Sequence, residues 1–386
     1  MVLPLCTNLE NGREEHMKKM LHINLLFLLL FILTACNSND NEKNSTKPYV
    51  KGIKNVDVLN THGSIEGLER MQSFYNNMQK GVPTDLRVVH YTIEGDPIVT
   101  DLTYNGKLLE VKEDTTRDQY GSGEIRTNSC SNLIEEVNPT NTSYIVSDCT
   151  GGSIGKEMIL EINYNMKQQD LFEFELKYGE KLENEVNTKN MTKNVGSAKE
   201  TEVTSDFVLP ASVKQVVFKQ LVFANYLAKK DLVTSCKSKE SMNYNLKVYI
   251  NGGQHTIRWS TCDQSPDGIK FTKIADYIIK QSEMKQSEKT EVTVQGYVLQ
   301  VENDTLLIGE DLNMLDYEWI KDELGKMDPN DYFFDFILLE GVQVGAFDLG
   351  DKIQATIEGN IIGSKPGRAK VKDIRKLALS DEIKTR

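Results

Sequence analysis

Nine consecutive apolar residues, Leu25 to Leu33, decide in which solvent this chain folds. Lys18 and Lys19 precede the run and Thr34-Ala35-Cys36 follow it. This is the layout of an export signal: a positive start that stays on the cytoplasmic side, an apolar stretch within the roughly 7–15 residues of a signal core, and small residues at its end. The run is well short of the roughly 20 residues that a helix needs to span a bilayer, so it directs export without remaining as a transmembrane anchor. The sixteen residues before Met17 depart from the pattern, because Glu10, Glu14 and Glu15 are foreign to a positive start. The sequence therefore places the start of translation at Met17 or Met20.

An exported chain folds where thiols oxidise, which gives its cysteines a structural meaning. Leu33-Thr34-Ala35-Cys36 resembles the lipobox of bacterial lipoproteins. The resemblance implies that residues 1–35 are a cleaved signal peptide and that Cys36 becomes the first mature residue, carrying a diacylglyceryl group. Two acyl chains suffice for stable anchoring, so the expected location is the outer face of the cytoplasmic membrane. With Cys6 in the doubtful leader and Cys36 lipidated, Cys130, Cys149, Cys236 and Cys262 remain. Four cysteines allow three connectivities. Sequence order favours Cys130–Cys149 and Cys236–Cys262, since each pair then lies inside one module; the competing reading leaves two or more as free buried thiols. No Cys/His spacing suited to zinc and no CxxC motif is present, and the sequence calls for no cofactor.

The net charge of −12 survives removal of the leader. A phosphate backbone demands clustered Lys and Arg, so nucleic acid is not an expected partner. The 351 residues left are enough for two or three domains. Composition divides them into a polar tether at 36–52, an α+β domain at 53–181, a linker at 182–205, a helix-hairpin-helix module at 206–284 and a small β-barrel at 290–380. The fold class expected is α+β in several modules.

The first module opens with a helical stripe, Ile65, Leu68, Met71, Phe74, Tyr75 and Met78, with Ser64 placed to cap its start and Gly81 its end. Strands are expected at Leu86–Thr92 and Ile98–Tyr104, with Asn105-Gly106 as a type I′ turn into Lys107–Val111. Further strand-like runs are Tyr144–Cys149, Met158–Tyr164 and Leu171–Tyr178. Asn60-Thr61-His62-Gly63, Leu86-Arg87, Thr92-Ile93-Glu94-Gly95-Asp96-Pro97, Asp101-Leu102-Thr103-Tyr104-Asn105-Gly106 and Asp114-Thr115-Thr116-Arg117-Asp118 carry a resemblance. They are similar to domain-of-unknown-function family 4362, found in lipoproteins of Gram-positive spore-formers. The family brings no activity with it. Read physically, His62, Arg87, Glu94, Asp96, Asp101, Asp114, Arg117 and Asp118 gather around turns and would form a polar pocket if they converge. Ordinary turn chemistry and local ion pairs account for the same residues.

Gly151-Gly152-Ser153-Ile154-Gly155 matches the G-x-S-x-G pattern of hydrolase nucleophiles. That elbow needs a strand before the serine and a helix after it. Lys156–Tyr164 instead alternates as a strand, which makes the match a glycine loop. In the second module Val213, Val216, Val217, Leu221, Phe223, Ala224 and Leu227 read as an amphipathic helix. Leu246–Ile250 and Thr256–Trp259 flank the turn Asn251-Gly252-Gly253-Gln254, and Ser265-Pro266-Asp267-Gly268 opens a second helix. His255 reads as a surface residue beside the turn and Trp259 as a core aromatic.

The third module is a run of strands, Val292–Val301, Thr305–Ile308, Phe336–Val344, Lys352–Glu358 and Ala369–Leu377, from which an OB-like barrel is expected. Val294-Gln295-Gly296-Tyr297-Val298, Leu349-Gly350-Asp351-Lys352-Ile353 and Ser364-Lys365-Pro366-Gly367-Arg368-Ala369 resemble domain-of-unknown-function family 3221. The insertion from Gly309 to Asp335 is acidic but lacks the residue order of a calcium loop, so it is read as a solvated face. No metal site is expected. Two function classes follow: a non-catalytic extracytoplasmic protein that binds a protein, wall polymer or small ligand, or a cell-envelope hydrolase using first-module carboxylates such as Glu94 and Asp96. The hydrolase needs two carboxylates about 5–9 Å apart in a cleft.

Overall fold

The computed structural model describes residues 47–151, 155–196, 201–236, 241–284, 292–326, 334–363 and 365–378. The signal segment, Cys36 and the tether before Lys47, the central Gly152, Ser153 and Ile154 of the glycine loop, and Asp328 and Asp331 of the acidic insertion lie outside these residues.

The first sheet takes up β1 (Val58–Thr61), β2 (Ser64–Glu66), β3 (Thr84–Tyr91), β4 (Pro97–Tyr104), β5 (Leu109–Asp114), β6 (Ile125–Val137), β7 (Asn141–Thr150) and β8 (Lys156–Asn163), with helix α1 (Leu68–Gln79) between β2 and β3. Its order is β2-β1-β3-β4-β5-β6-β7-β8. The α1 crossover makes β1 and β3 parallel, and every other pair is antiparallel. Leu68, Met71, Phe74, Tyr75 and Met78 bury one face of α1 in the same cluster as Leu86, Val88, Leu102, Val111, Leu133 and Tyr144.

The helix starts later than its apolar stripe suggests. Ser64 does not cap it: Ser64–Glu66 is the short strand β2, and Ile65 reaches the core from there. The cap residue is Gly67, at φ 80°, where a Cβ would stand 2.0 Å from the Asp57 carbonyl oxygen. At Asn105-Gly106 the hairpin forms, but through a four-residue loop in which only Gly106 has positive φ. The Asn105 side chain accepts from the amides of Lys107 and Leu108 and closes that loop. The type I′ geometry occurs instead at Asn251-Gly252, with φ 46° and 78°.

β6 is thirteen residues long and has no counterpart in the apolar pattern, because its first half, Arg126 to Ser131, is polar. Ladders to β5 and β7 hold it in place. It sets Cys130 directly opposite Cys149, with their Cα atoms 3.9 Å apart, and the two are bonded. Cys236 and Cys262 form the second disulfide, at a Cα separation of 5.9 Å. Both pairs are those favoured by sequence order.

The second sheet corrects the modular reading. Its strands are β9 (Phe172–Gly179), β10 (Asn184–Asn187), β11 (Thr192–Gly196), β12 (Thr201–Ser205), β13 (Asn243–Ile250) and β14 (Gly253–Ser260); α2 (Ala211–Phe223) precedes β13 and α3 (Pro266–Glu283) follows β14. The order is β12-β11-β10-β9-β13-β14. Residues 182–205, expected as a linker, thus hold three strands. The helix-hairpin-helix does not stand alone, because β13 pairs with β9 from Asn243↔Gly179 to Ile250↔Phe172. A two-stranded hairpin is marginal in water; β9 supplies the missing neighbour and the apolar face of Phe172, Phe174, Leu176 and Tyr178. Trp259 is the expected core aromatic, stacked on Tyr244 at 4.9 Å and donating to Thr272 Oγ1.

The C-terminal strands close a five-stranded barrel. They are β15 (Val292–Glu302), β16 (Thr305–Glu310), β17 (Phe336–Glu340), β18 (Lys352–Ile357) and β19 (Gly367–Lys376), with α4 (Met314–Glu323) after β16. The barrel runs β15-β16-β17-β19-β18, with β17 and β19 parallel. Its apolar interior, Val294 to Ala369, is a cluster separate from the one that the two sheets share. The architecture is therefore α+β with a closed C-terminal β-barrel. No helix among the described residues is long and apolar enough to cross a membrane.

Candidate functional site

The eight residues singled out around the first module's turns are held locally. Arg87 on β3 grips Asp101 on β4 through Nε (2.6 Å) and a terminal nitrogen (2.9 Å), and donates its other terminal nitrogen to the Lys54 carbonyl. The Asp101 carboxylate raises the Arg87 pKa. Asp96 accepts from the Gln119 amide at 2.9 Å, which ties the β3–β4 turn to the β5–β6 loop. Asp114 accepts from Thr116 and from Arg117, and the Thr116 hydroxyl is the main reason its pKa falls. Asp118 caps the Tyr120 amide. His62, at φ 50°, and Glu94 are exposed on turns. None of the eight lines the cleft described next.

That cleft arises because the first sheet curls until β3 meets β8. His90 Nε2 lies 2.9 Å from the Ile159 carbonyl oxygen, which can only accept, so Nε2 carries the proton. Nδ1 is left as the acceptor, 3.4 Å from the Asn60 amide nitrogen. Burial keeps the ring neutral and lowers its pKa, against the opposing pull of the Ile159 bond and the Glu113 charge. The cavity, about 470 Å³, is lined by Asn60, His90, Thr100, Glu113, Glu157 and Glu161 together with Ile98 and Leu160.

Register explains how polar groups reach it. Thr100, Glu113 and Arg126 stand side by side across β4, β5 and β6. They share the face on which Leu102 and Val111 enter the core. Glu113 is ion-paired with Arg126. Burial raises the Glu157 pKa, and the neighbouring Glu113 charge adds to it, while Arg126 and Asn128 pull it back. Glu161 is raised by burial and then by Asp316. Glu161 borders the cleft, but its carboxylate accepts from Asn313 on the barrel side. Glu113 and Glu157 against the single guanidinium of Arg126 still leave the cleft an excess of negative charge, which suits a ligand that brings cationic nitrogen and hydroxyl donors.

No turn motif or cluster in the sequence marks the cleft residues His90, Glu113 and Glu157, which stand singly within ordinary strands. A signal was present nonetheless. Leu86-x-Val88-x-His90 and Leu109-x-Val111-x-Glu113 are inward-facing stripes that end in a polar residue, and Tyr104, Leu102 and Thr100 make the same change running back along β4.

On the opposite side of β6–β8 the barrel docks through charged groups. Glu136, Ser143 and Glu161 form a row across these three strands. Glu136 is fully buried; it accepts from Tyr297 Oη (2.7 Å) and the Met314 amide (2.7 Å), and pairs with Lys352 Nζ (3.0 Å). Asn138 and Asn141 donate to the carbonyls of Leu312 and Asp311. A smaller cavity of about 210 Å³ lies beside this junction, lined in part by Lys167, Glu310 and Asp335. Among the described residues no group of three or more His, Cys, Asp and Glu could hold a metal ion.

Two stretches of the chain match known families. Residues 55–145 match the domain of unknown function DUF4362, and residues 295–377 match the protein of unknown function DUF3221. The first match ends within β7, so Glu157 and Glu161 lie beyond it. Among solved structures, the chain is similar to a yobA protein from Bacillus subtilis subsp. subtilis str. 168, with 18% identity and a TM-score of 0.18, over 23% of this chain and 98% of that one. No curated protein matches.

Proposed function

We propose that this chain is a non-catalytic binding protein, held on the outer face of the cytoplasmic membrane by lipid on Cys36, that takes an amine- and hydroxyl-bearing wall fragment into the cleft of its first sheet. The observation that carries the reading is the placement of Glu157 beside Glu113 in an open cleft, where a desolvated carboxylate gains from a cationic partner. The lipobox-like Leu33-Thr34-Ala35-Cys36 supports the anchor, and the barrel is read as an OB-like interaction module on the same tether.

Calorimetric titration of the soluble mature chain with glucosamine oligomers, and with their N-acetylated counterparts, tests the binding. Binding of the free amines alone is expected, at least about tenfold weaker in Glu157→Gln, as loss of one charge-assisted contact implies. Equal affinity for both sets, or none for either, would overturn the ligand class. Loss of membrane retention and of palmitate-analogue labelling in Cys36→Ala tests the anchor; unchanged labelling would remove it.

A hydrolase reading draws on the same two residues, since Glu157 is favoured in its protonated form beside a carboxylate, an arrangement used for acid/base work. The Arg126 clamp on Glu113 weighs against it, because a base held by a guanidinium is a poor proton acceptor. Release of reducing ends from wall fragments, lost in Glu157→Gln, would favour hydrolysis.

A further inference from the structure

We propose that the contact between the barrel and the first sheet is a pH-responsive joint, closed by acid and loosened as the surroundings become alkaline, with Asp311 as its principal proton-binding group. The composition of the contact comes first. The apolar cluster of the two sheets ends with Ile278 and those of the barrel begin at Val294, so the two bodies are not fused by a common apolar core. What joins them is polar: the buried Glu136–Lys352 pair, Gln295 donating to the Val137 carbonyl, Asn138 and Asn141 donating to the β16–α4 turn, and Lys156 paired with Glu318. Such a contact follows the charge state of its members.

Those members are unbalanced. The sheet side presents Glu136 on β6 and Glu161 and Lys156 on β8, and the adjoining turn adds Lys167. The barrel side presents Tyr297 on β15, Glu310 on β16, Asp311 on the following turn, Asp316 and Glu318 on α4, Asp335 ahead of β17 and Lys352 on β18. Carboxylates outnumber ammonium groups. Lys352 is taken by Glu136, Lys156 by Glu318, and Lys167 stands 3.7 Å from Glu310.

Asp311 has only a Thr140 hydrogen bond and the pull of Lys167 and Lys352, two ammonium groups already engaged by Glu310 and Glu136. It sits at φ 58°, its amide bonded to the Gln295 carbonyl, and its Oδ1 is buried without a hydrogen-bond partner. Burial first, and then the Glu310 charge, push its carboxyl up to about 7. Burial likewise raises Glu310, Glu161 and Asp316.

The sign follows from proton counting. Undocked, Asp311 is exposed and ionises near the ordinary carboxylate value. Docked, it keeps its proton to about pH 7. The docked form therefore binds more protons between these limits, and docking weakens as pH rises through them. For Asp311 alone the docking equilibrium falls by about thirtyfold from pH 5.5 to 8.5.

Hydrogen exchange of the full mature chain reads this directly, after correction for the intrinsic pH dependence of exchange. Protection of the segment 311–318, whose Met314 amide is bonded to Glu136, is expected to fall by about tenfold or more over that range, while β17 in the barrel interior keeps its protection. Asp311→Asn suits the backbone, since Asn accepts positive φ, and should remove most of the dependence. Glu161→Gln, on the other body, should remove a smaller part. Equal protection of 311–318 at both pH values, or an undiminished pH dependence in both variants, would overturn the proposal.

Discussion

Removal of the Lys352 amine tests the energetics of the joint most sharply. Glu136 has no exposed surface and Lys352 only 4%. The carboxylate is met by one ammonium and two neutral donors, Tyr297 Oη and the Met314 amide at the N-terminus of α4. Lys352→Met keeps the length and apolar stem of the side chain but leaves Glu136 with the neutral donors alone. Orphaning one member of a buried ion pair costs about 3–5 kcal/mol, because the remaining charge is still desolvated. The barrel has one escape: undocking rehydrates Glu136, so the loss observed cannot exceed the free energy of docking. In Glu136→Gln/Lys352→Met both charges are gone, and replacement of a buried pair by uncharged groups is often near neutral. The double variant should therefore recover most of the loss, with a coupling of about 1–3 kcal/mol. Urea unfolding of the four members of this cycle, with Trp319 on α4 as a fluorescent reporter of the barrel, supplies the numbers. A loss below about 1 kcal/mol in Lys352→Met, with exchange protection at Met314 unchanged, would refute the assignment of a desolvated charge at Glu136.

Three further outcomes are expected. Replacing either disulfide pair by alanines should cost about 3 kcal/mol in thermal or urea unfolding, since the bridges span 19 and 26 residues in sequence; a loss under about 1 kcal/mol would contradict the loop-entropy account. His90 is held neutral, with its pKa lowered by burial, so the stability it contributes is present above the unfolded value near pH 6.5 and is lost as pH falls through the lower folded value. Wild type should accordingly lose stability relative to His90→Gln between pH 6.5 and 5, opposite in sign to the Asp311 effect, and parallel pH profiles would exclude a neutral His90. Gly67→Ala should destabilise by about 2 kcal/mol or more, because its Cβ meets the Asp57 carbonyl at 2.0 Å in left-handed backbone; differential scanning calorimetry that shows no loss would contradict that close approach.

How far such properties can be read in advance depends on the distance over which they are encoded. The barrel strands, α1's apolar face, the Asn251-Gly252 turn and both disulfide pairs are local facts: each follows from residues within one periodic run, one turn, or one pair of neighbouring cysteines. The strands of 182–205 were hidden because an outer strand needs few apolar residues when its ladder is completed by a partner, here β10 on β9, and such polar composition is also what a linker shows. β6 was hidden for the same reason: the polar half from Arg126 to Ser131 is made a strand by β5 and β7, not by its own alternation. The functional residues are harder still, because their character depends on partners far along the chain. Glu136 and Lys352 are 216 positions apart, and nothing near either distinguishes it from a solvated charge. Asp96 and Asp114 stand in conspicuous turn motifs and satisfy those turns. His90, Glu113 and Glu157 stand at the ends of ordinary strands, and only the curl that brings β8 against β3 gathers them at one cleft. A motif confined to a turn thus reports first on the turn, whereas polar residues that interrupt the inward face of several neighbouring strands report on what the sheet encloses.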